Sequence, residues 1–436
     1  MSFGGFPKAL GYAFSKLEGF SKSVDIVYPD RRNDVKSNST VRVGLAPNSL
    51  IDLRSFTMHY TFQPTSGGAK LTPISGGTPA FTEFNNRFHP RNSSSVINAT
   101  SLYFNNNLVD QVDDYGLLYN TLWDLSVGSD QNNKRFLENV QPLVIDGVTT
   151  GNSDRINNPP REFIISNWIN FLGTSSAEYL DTNDTGTVEL AIRLSPPQML
   201  CTSLNPVSGT LTIPADPVEY ELDNIYFTYN RIHMEDPLYF DIKRSKLMGD
   251  GLDIMWKSYS THQGSLTSDI NYDFNVSASS LDSIICTSRP SGFQTVGAII
   301  AGFDQSVFYQ RNLSDLTTSQ LQINGVNIYK QPLKATEIYH QNMLALNGHN
   351  DVHHSTHSGC NGITRFLTNY FTHYLSLNFT GDTVSPMISG LDGKGSSFNI
   401  LWTAKKSTGS QVFPIVFCAK SSVLKISAGK QITLMG

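Results

Sequence analysis

Along several short segments of the chain apolar residues recur at every second position, the period of a strand with one buried face. Phe56, Met58, Tyr60 and Phe62 alternate with polar residues. Val188, Leu190, Ile192 and Leu194 do the same, closed off by Pro196 and Pro197, and Ile270, Tyr272, Phe274 and Val276 repeat the pattern. Stretches rich in Gly, Ser, Thr, Pro and Asn separate these segments and read as loops. The stretch from Pro64 to Pro79, with Lys70 as its one charge, predicts an exposed excursion from the end of a β-scaffold. Helical spacing is confined to a few places. Tyr115, Leu118, Leu122 and Leu125 share a face within Asp113–Leu125; Ile338, Met343, Leu344 and Leu346 are placed alike within Lys334–Leu346; a third segment, Pro237–Met248, lies near the midpoint.

The N-terminal segment carries Phe3, Phe6, Leu10, Phe14 and Leu17 at helical spacing, with Lys8, Lys16 and Lys22 interspersed. That spacing predicts a short amphipathic helix. Its apolar stripe has two candidate targets, a lipid surface or its own or a neighbouring subunit, and protein is the commoner partner of such a stripe. The segment lacks the apolar run of a signal peptide, and no stretch approaches the ~20 apolar residues of a membrane span.

An internal duplication follows from the order of the segments. Ser101 to Val109 reads as a strand, an Asn turn at Asn105 and a further extended piece; Leu321 to Ile328 repeats that arrangement around Asn324 and Gly325. Each is followed by a predicted helix, with Tyr115, Tyr119 and Leu122 set against Tyr339, Met343 and Leu346. The copies lie about 220 residues apart, close to one domain length. Downstream, the aromatic stretch Phe163, Ile165, Trp168 matches Phe366, Tyr370, Tyr374, both expected as strands. Gly186–Leu194 matches Ser396–Lys405, and Tyr220–Ile232 matches Phe413–Ile426 as the closing strand of each half. Four matches in one order point to two copies of one β-rich domain, each with a short helix.

With these residues in view, the chain resembles a known family. Val96 to Leu125, with Asn105 at its turn and Tyr115 beginning its helix, is similar to a stretch of the double jelly-roll major capsid proteins of polinton-like viruses and virophages, in the lineage of the adenovirus hexon. "INGVNIYKQPLKATEIYHQNMLALNG" (Ile323 to Gly348) resembles the matching part of their second barrel. "SGLDGKGSSFNILW" (Ser389 to Trp402) and "LKISAGKQITL" (Leu424 to Leu434) resemble their last strands and chain end. The likeness runs from about Asp25 onward, as a diffuse pattern that leaves Pro64–Pro79 and the His-rich segment unmatched. It implies an all-β chain of two tandem eight-stranded jelly-roll barrels, each with a short helix. The expected division is an arm at 1–23, a first jelly roll at 24–236 and a second at 237–436. It further implies a major capsid protein of the virion, assembled inside the host cell as homotrimers of nearly six-fold outline that tile an icosahedral shell. Minor capsid or penton proteins are the implied partners, with an internal membrane beneath the shell in many relatives.

Composition sharpens this. Only 16% of the 436 residues are charged, against about 25% in an ordinary domain. Long solvated helices are therefore disfavoured, and short strands with many turns favoured. A net charge of −5 and the absence of a basic tail give no field for specific nucleic-acid binding. Cys201, Cys286, Cys360 and Cys418 are scattered, with no C-x-x-C pair, and read as free thiols. The sequons at Asn38, Asn98, Asn183 and Asn378 arise by chance in so Asn-rich a chain.

Chemistry is hard to find. No phosphate loop, nucleophile elbow or H-E-x-x-H occurs, and Gly390, Gly393 and Gly395 read as a tight turn. The chain is expected to be no enzyme, with no catalytic, cofactor-binding or metal residues and no cofactor. One cluster stands out: His349, Asp351, His353, His354, His357 and Cys360. Its Gly, Asn and Ser content favours a solvated loop over a pH-sensitive contact or a metal site. Asp113/Asp114 and Glu235/Asp236 read as helix N-terminal residues rather than acid/base pairs. The rival reading is a two-domain β-sandwich that binds a receptor or glycan. It would need exposed aromatics, whereas Trp123, Trp168, Trp256 and Trp402 all lie in helix or strand patterns.

Overall fold

The computed structural model describes residues 20–70, 88–126, 161–202, 218–234, 237–294, 306–345, 363–377, 390–393 and 397–435. Nine strands of the first half are β1 (Phe20–Val27), β2 (Thr40–Gly44), β3 (Leu50–Ser66), β4 (Ile97–Phe104), β5 (Asn107–Asp113), β6 (Arg161–Ile165), β7 (Tyr179–Asp181), β8 (Val188–Leu194) and β9 (Val218–Met234). Nine strands of the second half correspond to them: β10 (Leu252–Gln263), β11 (Ile270–Ser277), β12 (Ser280–Pro290), β13 (Leu316–Ile323), β14 (Val326–Asn327), β15 (His373–Ser376), β16 (Leu391–Asp392), β17 (Ser397–Lys406) and β18 (Val412–Ser427), with Gln431–Met435 as a further short strand on β18. Among the described residues the helices of seven or more residues are α1 (Tyr115–Ser126), α2 (Pro237–Met248), α3 (Ala335–Ala345) and α4 (Ile363–Asn369).

Each of these nine first-half strands has a counterpart nine labels later. In the first half one sheet runs β1-β9-β3-β7 with β6 also on β3, and the facing sheet runs β2-β8-β4-β5. In the second half the sheets are β10-β18-β12-β15, with β16 also on β12, and β11-β17-β13-β14. The first and last long strands of each half pair antiparallel, as in Phe20 with Met234 and Leu252 with Ile426. This wrap of two four-stranded sheets is the eight-stranded jelly roll, with two short strands sharing one of the eight positions.

Burial follows the layers. β17 alternates inside and out along nearly its whole length, as a strand with one wet face should. β12 is buried at every position from Ser280 to Arg289. The reason is tertiary: its sheet lies between two cores. Val416 and Cys418 of β18 face the second barrel's own interior, while Ile415 and Phe417 join the core of the first half. Strands covered on both faces read as unbroken apolar runs, here Val412-Phe413-Pro414-Ile415-Val416-Phe417-Cys418-Ala419.

The structure corrects several expectations. Pro64–Pro79 does not begin as a loop: β3 continues to Ser66, and Gly67 and Gly68 at positive φ make a two-residue turn into a short strand, Ala69–Lys70. Phe366 and Tyr370 are not in a strand; Phe366 lies in α4 and Tyr370 just after it, so only Tyr374 of that group is on the strand β15. Their four-residue spacing is a helical one. Asp113 ends β5, and Asp114, at φ 51°, is a left-handed residue ahead of α1. Lys22 belongs to β1 rather than to a helix. The remaining N-terminal stripe, the His349–Cys360 cluster, Glu235/Asp236 and residues 71–79 lie outside the described residues.

Candidate functional site: the buried seam between the two barrels

Polar side chains buried between two barrels must find partners or cost about 1–3 kcal/mol each. Along the seam here, hydrogen bonds cross between the barrels, at its more exposed margin as well as in its buried part. At one end Ser176 N–H donates to the Met255 carbonyl (2.7 Å) and Met255 N–H donates to Ser176 Oγ (2.9 Å). Lys257 N–H donates to Thr174 Oγ1 at 3.2 Å. Phe171 meets Trp256 edge to face, with ring centroids 5.2 Å apart. Near the middle Thr261 Oγ1 donates to the Asp113 carbonyl (2.8 Å), and Arg289 Nη2 donates to Asp114 Oδ1 (2.9 Å). The Arg289 guanidinium lies over Phe293 and Phe308, 5.0 and 4.5 Å from their ring centroids.

At the other end sits the densest cluster. Asp124, in the last turn of α1, takes Arg91 from its own barrel and Arg311 from the second, and all three side chains are buried. Arg311 Nη1 also donates to Thr121 Oγ1 (2.5 Å), one turn before Asp124. The Tyr370 ring lies 5.5 Å from the Arg91 guanidinium carbon and 5.8 Å from that of Arg311. Beside them Tyr309 OH donates to the Ser95 carbonyl (2.6 Å) and contacts Ser195 Oγ (2.9 Å). Tyr309 reaches this far because residue 116 is glycine; a Cβ there would stand 2.3 Å from the Tyr309 hydroxyl.

Electrostatics at the seam are set by burial. Asp110, on β5, accepts from Phe171 N–H at 2.8 Å. Burial pushes its carboxyl up to about 6, only partly offset by that bond, the neighbouring Trp256 and Lys420. In the second barrel's core Trp402 Nε1 donates to Ser319 Oγ (3.0 Å), which contacts His373 Nδ1 (3.1 Å). Burial alone lowers His373 to about 4, so the ring is neutral at neutral pH.

Of the residues singled out from sequence, Asp113 and Asp114 prove to be seam residues, tied to Thr261 and Arg289. Trp123, Trp168, Trp256 and Trp402 are all buried, so none forms the exposed platform a glycan would stack on. Cys286 and Cys418 are buried free thiols. Among the described residues no group of three His, Cys, Asp or Glu side chains gathers to hold a metal ion, and no helix is long and apolar enough to cross a membrane. Arg91, Asp124, Tyr309 and Arg311 were not foreseen. The available signal was a lone acid ending the apolar helix Tyr115–Ser126 and a lone arginine in the aromatic run Val307–Arg311.

This arrangement joins two like domains through bonds and ring contacts across the seam. No family model matches the chain, and no curated protein does. Solved structures do. The Sputnik virophage structure aligns over 96% of this chain and 89% of its own, with TM-score 0.57 and 11% identity. The PBCV-1 virus capsid aligns over 95% and 96%, with TM-score 0.53 and 11% identity. The Faustovirus major capsid protein aligns over 94% and 91%, with TM-score 0.52 and 11% identity. At such identity the likeness is one of architecture, and the architecture of this chain is the double jelly roll of viral capsid proteins.

Proposed function

We propose that the chain is a major capsid protein whose homotrimers are the building blocks of an icosahedral virus shell, and that it is not an enzyme. The observation that carries this is the pair of barrels with the same strand order, held side by side by the Arg91–Asp124–Arg311 seam. Three such chains around one axis present six similar barrels, a pseudo-hexagonal outline that tiles a closed surface by repeated contacts. The domain boundary falls at 236/237 in this reading, with 24–236 and 237–436 as the two jelly rolls, β1 extending the first back to Phe20 and α2 opening the second. Minor capsid or penton proteins are the partners beyond other copies of the chain, and the virion is its place. The apolar stripe Phe3 to Leu17 has a lipid layer or the protein itself as its target; the pairing of Phe20 with Met234 favours the protein.

The test is the solution mass of the purified full chain, with negative-stain electron microscopy of the same sample. The expected result is three times the monomer mass and particles of hexagonal outline. A stable monomer, or a two-fold dimer, would overturn the proposal.

A further inference from the structure

The helix α2 is oriented unusually. Phe240, Ile242 and Met248 are 43%, 57% and 67% exposed, although a helix on a folded domain normally turns such residues inward. Its position is nevertheless well defined. Pro237 starts it, where a missing N–H costs nothing. Gly251, at φ 84°, ends it by donating to the Lys246 carbonyl at 3.0 Å. Lys243 ties it to the first barrel through Asp181 (2.5 Å) and Asp184 (2.9 Å).

Beneath this helix runs a half-open groove of about 460 Å³, within the range of built ligand sites. Leu50, Leu180 and Met234 line it from the first barrel, Ile242 from α2, and Leu252 and Ile426 from the second. Its walls are mainly apolar, with Asp181, Asp184, Lys243, Lys246 and Asp253 as its charged groups.

The chain itself points to what covers it. β1 begins at Phe20, and Phe20 is the register partner of Met234, a wall of the groove. Residues 1–19 therefore start from the groove's rim. They carry Phe3, Phe6, Leu10, Phe14 and Leu17 at helical spacing, an apolar stripe that needs a cover, with Lys8 and Lys16 among them. Nineteen residues in helical form would span roughly 28 Å, ample to cross the groove and lie along α2. Three carboxylates against two lysines in the walls suit a segment whose own side chains carry two lysines and one glutamate.

We infer that residues 1–19 dock as an amphipathic helix into the groove of their own chain, between α2 and the adjoining ends of both barrels. The docked arm adds a further join between the two barrels, away from the Arg91–Asp124–Arg311 cluster. This inference does not depend on the capsid reading.

The test uses the full chain with p-benzoylphenylalanine in place of Phe14. Irradiation should link position 14 to peptides containing 237–248 or 177–184. In a mixture of nitrogen-15-labelled and unlabelled chains the links should stay within one isotope. Ile242→Glu should cut the yield at least five-fold while the oligomer mass is unchanged. Links confined to other surfaces, or links between isotopes, would overturn the inference. So would an arm that gives no groove links yet carries the protein onto phosphatidylglycerol/phosphatidylcholine vesicles, with flotation lost on deleting 1–19. A monomeric protein with groove links would sink the capsomer proposal and leave this one standing.

Discussion

Asp124 shows what one residue decides in this protein. Two guanidiniums from different barrels converge on its buried carboxylate. Such clusters are costly to desolvate, so their net contribution to stability is small, while removing one member leaves an uncompensated charge. Asp124→Asn should therefore cost about 3–5 kcal/mol in urea unfolding. The triple replacement Arg91→Met, Asp124→Leu, Arg311→Met should fall much closer to wild type; equal losses in the two variants would discard the charge argument. His373 gives a second expectation at this scale. Its folded value of about 4 lies below the ordinary 6.5, because burial penalises the charged ring. The stability it contributes is present above pH 6.5 and is lost as pH falls toward 4, on the order of 3 kcal/mol at 1.36 kcal/mol per unit. Asp110, raised to about 6, acts oppositely, gaining stability as pH falls through 6. The measurement is thus the difference between wild type and His373→Gln, by chemical unfolding at pH 7 and pH 4.5. A gap that does not narrow at pH 4.5 would mean the buried ring is not what titrates.

Among the elements, the duplicated hairpin is the clearest case of one local solution used twice. Asn105 and Asn106 turn β4 into β5 with φ of 49° and 65°; Asn324 and Gly325 turn β13 into β14 with φ of 50° and 78°. Positive φ at both central residues is the hairpin turn whose twist matches its strands, and Asn and Gly tolerate it best. Each first Asn also binds the neighbouring strand. Asn105 Oδ1 accepts from Thr187 N–H (3.0 Å) and Asn324 Oδ1 from Asn399 N–H (2.9 Å), while their own N–H groups donate to the same residues' carbonyls at 2.8 Å. Asn105→Ala and Asn324→Ala should each cost about 1–3 kcal/mol, from the left-handed backbone and the lost bond. Glycine at either site should restore roughly half. Thermal melts of the four variants would check this, and a neutral alanine at one turn would mean that the two copies no longer share the device. These hairpins were legible in the sequence because a two-residue turn needs particular residue types. The turn at Gly67–Gly68 was not, since the Gly-, Ser- and Thr-rich residues after it made the whole stretch look like a loop.

On the scale of the whole molecule, periodicity and internal repetition carried the reading to two β-domains, each with a helix, and the matching strand orders agree with that. Those features are local: a strand's alternation, a turn's backbone and a repeat's order are written in neighbouring residues. The seam is different. Arg91, Asp124 and Arg311 are 33 and 187 positions apart in sequence, and nothing local marks an arginine whose partner lies in another domain. For the same reason nothing local marks Ile415 and Phe417, which join the core of the neighbouring barrel. The sequence by itself determined the repeated β-domain, because burial periodicity and turn chemistry act over a few residues. Only the tertiary structure decided how the two barrels are joined, because that join depends on long-range complementarity of buried charge and apolar faces.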